Sequence, residues 1–319
     1  MIKIINFSPA IDRIYHIDDF KSGTKFLEIP PEIYLGGKGI NVAKVCSLLG
    51  EPPRLFSYVG SAEKEFMQEE LASYDISLSL TEVEGLTRNS INIIDNKNEK
   101  ETEITEPGFF VSNSDKNIFF KRFLPTINAD DIVICSGILA RGMSKKTYRV
   151  ISTEIEKRNA KCVLDVPAKY FLSSFPGKYF FIKPNLSEFN EITEKLGMKS
   201  EGMYKCAKKI LALGVENMLV STGSEGGYFF SEELVLKISI PETKAVSTIG
   251  SGDATVAGFC TGLSRKYNIR KCILLGIACG ISNSMNSEPG KICADTITEI
   301  MEKIIIKEIR GETLSDILD

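Results

Sequence analysis

The chain has 319 residues, 43% of them hydrophobic and 25% charged, with a net charge of −3 at neutral pH. That length suits one large α/β domain with a smaller appendage, or two domains, the composition suits an ordinary packed soluble protein, and the charge argues against a general nucleic-acid binder. No apolar run approaches the ~20 residues that cross a bilayer. The opening Met1-Ile2-Lys3-Ile4-Ile5-Asn6-Phe7 reads as a strand rather than a signal peptide. Eight cysteines without a C-x-x-C pair read as buried thiols of a reducing cytoplasm, not as a disulfide frame or zinc site. The single histidine, His16, is read as structural.

In chain order, residues 2–7 predict a strand. Ser8-Pro9-Ala10-Ile11-Asp12-Arg13 predicts a loop carrying an acid. Open α/β sheets place ligand contacts in loops after strand C-termini, so Asp12 is either a turn acid or a ligand for substrate hydroxyls. Residues 14–35 read as irregular, with a β-like piece at 26–29. Gly36-Gly37-Lys38-Gly39-Ile40-Asn41 then opens a helix that runs through Leu49 to a stop at Gly50. The loop does not match G-x-x-x-x-G-K-[ST]. It suits an anionic or polyhydroxyl ligand, with Lys38 as a point charge and Asn41 as donor and acceptor.

A strand is expected at 54–60 and a helix at 63–74. Residues 88–106 hold two β-like runs around the turn Asn96-Lys97-Asn98-Glu99-Lys100, which is a hairpin signal. A hairpin inserted among βα units suggests a lid. Arg88 and Asn92 then either face a ligand or lie on a solvated face. From residue 113 the pattern becomes regular. It gives a helix at 115–124, a strand at 131–135, a loop at 136–142, and a helix capped by Ser144 that runs to about 158. A buried strand at 161–166, a short helix after Pro167, a strand at 179–183 and a helix from Glu188 follow. Next come a helix at 200–213, a strand at 218–220, and antiparallel strands at 228–230 and 234–240. Helices at 253–266, 270–286 and 295–309 complete the chain. Strands alternating with helices imply a mainly parallel sheet covered on both faces.

The stretch Thr248-Ile249-Gly250-Ser251-Gly252-Asp253 precedes a run with helical spacing. A Gly-rich loop at a helix start aims free N–H groups and the helix dipole at one spot, which favours phosphate. Asp253 is either a cap or, beside a bound phosphate, the base that takes a proton from an attacking hydroxyl.

These loops gather along one edge of such a sheet. Asp12, Lys38, Asn41, Arg88 and Asn92 suit a sugar bearing a phosphate. Lys183, Asn185, Glu188, Ser221, Gly223, Gly226 and Gly250 to Asp253 suit a nucleotide triphosphate with magnesium, with Glu188 near the metal's waters.

At this point the chain resembles a ribokinase-like (PfkB-type) carbohydrate kinase. Gly36-Gly37-Lys38-Gly39-Ile40-Asn41 and Gly250-Ser251-Gly252-Asp253 resemble the two signatures of that family. Thr87-Arg88-Asn89-Ser90-Ile91-Asn92, Thr102-Glu103-Ile104-Thr105-Glu106-Pro107-Gly108 and Ile182-Lys183-Pro184-Asn185-Leu186-Ser187-Glu188 resemble the branch holding 1-phosphofructokinase and tagatose-6-phosphate kinase. The resemblance implies a three-layer α/β/α fold with a mainly parallel sheet. It implies one kinase domain over residues 1–319, with a β-lid from segments near 12–35 and 88–108, and dimers through the lid. It also implies ATP and Mg2+ acting on a ketohexose monophosphate to give a 1,6-bisphosphate. Fructose 1-phosphate is the first expectation for the acceptor and tagatose 6-phosphate the alternative.

Residue by residue, the resemblance makes Asp253 the catalytic base and Gly250, Ser251 and Gly252 the anion hole. Asp12, Gly37, Lys38, Asn41, Arg88 and Ser136 match sugar-phosphate positions. Lys183, Asn185, Ser221, Gly223 and Gly226 match nucleotide positions, Asn283 lies near the adenine, and Glu188 belongs to the magnesium network. The chain departs from the family at Ser136-Gly137-Ile138-Leu139-Ala140-Arg141-Gly142, where a serine and a proline are missing beside the sugar site. Two rivals remain. A non-catalytic sugar-phosphate sensor would be favoured by loss of Asp253 or the glycines, and both are present. A nicotinamide oxidoreductase needs G-x-G-x-x-G after the first strand, and Ser8-Pro9-Ala10-Ile11-Asp12 has no glycine.

Overall fold

The computed structural model describes residues 1–198 and 201–309. The last ten residues of the expected domain, and the first of the helix expected from 200, lie outside the described residues.

The chain opens with β1 (Ile2–Asn6), leaves through β2 (Ala10–Ile17) and returns by β3 (Glu32–Gly36) into α1 (Lys38–Leu48). Next come β4 (Arg54–Gly60), α2 (Lys64–Leu71) and β5 (Ser77–Val83), then the hairpin β6 (Arg88–Asp95) and β7 (Lys100–Thr105). The regular part follows: α3 (Asn113–Phe123), β8 (Ile132–Ser136), α4 (Thr147–Glu156), β9 (Lys161–Asp165), α5 (Ala168–Phe171), β10 (Tyr179–Ile182), α6 (Leu186–Lys195), α7 (Met203–Ala212) and β11 (Val215–Ser221). The chain then runs through β12 (Gly227–Ser231), β13 (Val235–Ser239), α8 (Ser251–Ser264), α9 (Ile269–Ser284), α10 (Ile297–Lys303) and β14 (Ile305–Glu308).

Ten strands form the main sheet in the order β14-β13-β12-β11-β10-β9-β8-β1-β4-β5. From β11 to β5 every pairing is parallel, and β12, β13 and β14 add an antiparallel edge. The central strands are apolar on both sides because both faces are covered. Ile2 and Ile4 of β1 enter the core under α1, α8 and α9, while Ile5 enters the opposite core with Phe119, Tyr148 and Ile151. This is the expected three-layer arrangement. The rings of Phe181 on β10 and Phe259 on α8 stack with centroids 3.8 Å apart, which fixes α8 over the sheet. Glycine lets α8 and α9 close tightly. A Cβ at Gly258 would come within 2.7 Å of the Leu275 carbonyl and the Cys279 sulfur.

A second sheet has the order β3-β2-β6-β7. It corrects two expectations. Asp12 is not in a loop but in β2, where Ala10, Asp12 and Ile14 are buried and Ile11, Arg13 and Tyr15 are partly exposed. The buried acid hides the two-residue period that would have marked the strand. The β-like piece at 26–29 is not a strand; pairing falls instead on β3.

Other local readings also shift. β5 was not expected. Ser144 does not cap α4, whose N-cap is Lys146 with no side-chain bond. The helix expected at 295–309 ends with α10, and residues 305–308 pair with β13 as a strand.

Candidate active site

The Gly-rich loops become the starts of α1 and α8. Gly37 (φ 111°) and Gly250 (φ 79°) are their N-caps, and neither helix has a side-chain cap. Positive φ suits glycine. At α8 the Ser251 amide reaches the Thr248 carbonyl at 3.2 Å, whereas the Gly252 and Asp253 amides take no partner among the described residues. They are the open donors of this helix end. Lys183, buried at the end of β10, stands over them; a Cβ at Gly252 would lie 3.0 Å from its ammonium nitrogen.

Asp253 is buried on the first turn of α8. Asn41 Nδ2 donates to its Oδ2 at 2.8 Å. Lys38 Nζ lies 3.4 Å from its Oδ1 and 3.0 Å from Asp165 Oδ2. Burial raises the Asp253 pKa. Lys38 opposes that shift, Asp165 adds to it, and Asn41 and Lys183 oppose it. Burial works against the charge on Lys38, but Asp165, Asp253 and Glu188 overcome it and hold the ammonium above its usual range. Asp165 is likewise held below the carboxylate range, because Lys38 and Lys183 outweigh its burial.

Asp165 was missed in the sequence. It ends a buried apolar strand at the sheet's carboxyl edge, and that position was its signal. Ser136, expected on the sugar, is fully buried, and its hydroxyl donates to Asp165 Oδ2 at 3.4 Å.

Asp12 sits on the inner face of the small sheet. Burial raises its pKa to about 6, with Arg88 opposing and Glu103 adding. Lys44 also opposes and Asp253 also adds, so Asp12 lies within the field of both Asp253 and Arg88. A side chain at Gly36 would overlap the Asp12 carboxylate. Asn92 is buried on the same face, since Ile14 pairs with Asn92 as Asp12 pairs with Ser90. Arg88 Nε is buried and has no hydrogen-bond partner, and Arg88 makes no ion pair among the described residues. The Asn41 Oδ1 is also buried without a partner.

Ser221, Gly223 and Gly226 line a cavity of about 270 Å³ with Thr248, Ser251 and Gly252. It opens beside the α8 start, and Ile277 and Ile281 give it an apolar wall. Asn185 and Glu188 form a capping box on α6: Asn185 Oδ1 accepts from the Glu188 amide at 2.8 Å and Glu188 Oε2 from the Asn185 amide at 3.0 Å. Asn283, expected near adenine, is fully buried and does not line that cavity. Its Nδ2 donates to the Ile249 carbonyl at 2.8 Å and its Oδ1 accepts from the Gly290 amide at 2.8 Å, so it braces the loop that opens α8.

Residues 6–283 match the pfkB family of carbohydrate kinases. The chain belongs to this family. It is thus a carbohydrate kinase. The chain is 29% identical to the 1-phosphofructokinase of Bacillus subtilis over 290 residues, 91% of this chain and 94% of that one. It is 27% identical to a tagatose-6-phosphate kinase of Staphylococcus epidermidis, covering 97% of this chain and all of that one. The fold is shared with Escherichia coli phosphofructokinase-2 solved with substrates and products (TM-score 0.85, 22% identity, 94% and 98% coverage). It is shared also with Thermotoga maritima ribokinase (TM-score 0.78, 19% identity, 95% and 99% coverage).

Proposed function

We propose that this carbohydrate kinase transfers the γ-phosphoryl group of ATP to a free hydroxyl of a ketohexose monophosphate. Fructose 1-phosphate, giving fructose 1,6-bisphosphate, is the first acceptor. Tagatose 6-phosphate is the second, and its relative matches nearly as well. The observation that carries the reading is the cluster of buried Asp253, Asn41 and Asp165 with the partly exposed Lys38, which joins both Gly-rich helix starts. A non-catalytic sensor has no use for a buried acid beside open helix amides.

In the mechanism, Asp253 takes the hydroxyl proton while the hydroxyl oxygen bonds to phosphorus and ADP departs. The raised pKa of Asp253 makes it a better proton acceptor than an exposed carboxylate. The Gly252 and Asp253 amides and Lys183 face the charge that builds on the transferring group. Lys38 and Asn41 hold the Asp253 carboxylate in place. Asp12 accepts from sugar hydroxyls, and Arg88 faces the acceptor's phosphate. Asn185 shapes the nucleotide edge through its cap on α6.

Asp165 and Glu188 supply hard oxygen donors that fit Mg2+, and both lie within the field of Lys38. No group of three or more potential ligands exists among the described residues, which fits an ion held mainly by water and phosphate oxygens. When bound, such an ion neutralises phosphate charge.

The small sheet serves as the lid, within one kinase domain. Dimers through it are part of the same proposal. One row of its outer face carries Ile33 and Ile104, 43% and 52% exposed, with Arg13 and Ile91 between them. A cytoplasmic setting is supported by seven buried free thiols among the described residues. No described helix is long and apolar enough to cross a membrane.

The test is ATP turnover with magnesium against fructose 1-phosphate, tagatose 6-phosphate, fructose 6-phosphate, fructose and ribose. Preference for one phosphorylated ketose supports the proposal and fixes the acceptor. Preference for a free sugar, or no turnover with nucleotide bound, overturns it.

A further inference from the structure

A second cavity, of about 60 Å³, lies where the small sheet's β6–β7 hairpin meets the loop after β8. Arg88, Arg141, Glu106, Pro9, Ile138 and Ala140 are among its lining residues. Its size suits a group of a few heavy atoms rather than a sugar ring. Three of these residues, Ile138, Ala140 and Arg141, come from the loop after β8, where this chain departs from its family's pattern.

Two guanidinium groups on one small cavity repel each other unless an anion joins them. Neither arginine has a carboxylate within ion-pair distance among the described residues. Arg141 reaches only the Gly108 carbonyl, at a long 3.4 Å from Nη1. The one acid on the wall, Glu106, already accepts from Asn89 Nδ2 at 2.6 Å. The pocket therefore keeps a net positive charge. The backbone around Arg141 is fixed, because its carbonyl accepts from the Val111 amide at 2.8 Å. Arg88 is fixed at the first position of β6 by its pairing with Ala10. Two planar forks on rigid backbone suit the oxygens of a phosphomonoester.

We propose that Arg141 is a second phosphate anchor. Arg88 and Arg141 together hold the phosphate that the acceptor already carries, and Arg141 is a specificity-determining residue for phosphorylated over free sugars. The inference rests on the sugar-phosphate reading above. The apolar residues Ile138 and Ala140 fill the wall without offering hydrogen bonds, so selection at this end falls on charge.

The test compares wild type, Arg141→Ala, Arg141→Lys and Arg88→Ala on the acceptor panel, with thermal unfolding as a control. Arg141 is exposed, so its variants are expected to fold. Arg141→Ala is expected to raise the KM for the phosphorylated acceptor at least ~10-fold, the scale of a lost charge-assisted bond. The KM for ATP and the kcat/KM for the free sugar stay as in wild type. Arg141→Lys, which keeps the charge and loses the fork, falls between. An unchanged acceptor KM in Arg141→Ala, with Arg88→Ala impaired, overturns the role of Arg141 and leaves the sugar-phosphate reading standing. A wild type that prefers free sugars overturns both.

Discussion

Asn41 Nδ2 donates to Asp253 Oδ2 at 2.8 Å across 212 positions of sequence. That bond ties the first turn of α1 to the first turn of α8. It brings the two Gly-rich helix starts to one buried carboxylate. Gly290 locks the join, since its amide holds Asn283 and a Cβ there would come within 2.9 Å of the Asn41 Cα.

In the proposed function Arg88, whose Nε is buried without a partner, takes a place at the acceptor's phosphate. Arg88→Ala is expected to raise the KM for the phosphorylated sugar by ~10-fold or more while leaving the KM for ATP nearly unchanged. Initial-rate kinetics with each substrate varied in turn separate the two. Equal effects on both would remove Arg88 from the acceptor site.

Asp12 carries a pH signature. Burial lifts its pKa from 3.8 to about 6 in the folded protein. The unfolded chain therefore ionises first, and between pH ~4 and 6 the folded state binds more protons. The stabilising contribution is complete below the unfolded pKa and is lost as pH rises through about 6. Asp12→Asn is thus expected to be more stable than wild type at pH 7 by about 1–3 kcal/mol, and the gap is expected to close near pH 4. Urea unfolding at both pH values checks it. In activity, kcat/KM for the acceptor falls as pH drops through 6. The sugar phosphate itself titrates near there, so the comparison with Asp12→Asn isolates the protein's share.

Lys44 is fully buried on α1, 3.3 Å from Glu288 Oε1, with the Leu35 carbonyl at 3.4 Å and the Tyr74 ring beside it. Removing Glu288 leaves that ammonium with weaker partners. Because Glu288 is partly solvated, Glu288→Ala is expected to cost about 1–3 kcal/mol rather than the larger penalty of a sealed pair. A denaturant midpoint unchanged at constant slope would show the pair to be idle.

Much of this architecture was legible in the sequence, for identifiable reasons. The β4 and β8 strands read clearly because apolar runs were bounded by turn residues. The Gly-rich starts of α1 and α8 read clearly because glycine before a helical period has few other uses. What stayed hidden depended on long-range partners. β2 was masked by the buried Asp12 in its apolar face. β14 forms only because β13 offers an open edge. Asp165 gave only the weak signal of an acid ending a buried strand, since its partner Lys38 lies 127 residues away. The sequence also could not show that Asn283 turns its amide to the Ile249 carbonyl at the start of α8, or that the Ser136 hydroxyl donates to Asp165.

The most direct measurement is the turnover of Asp253→Asn on the preferred phosphorylated ketose, beside a thermal melt. The variant keeps Oδ1, so it is expected to fold while losing kcat by at least ~10²-fold, the scale of a positioned general base. A folded Asp253→Asn enzyme with undiminished kcat would contradict the role given to this carboxylate.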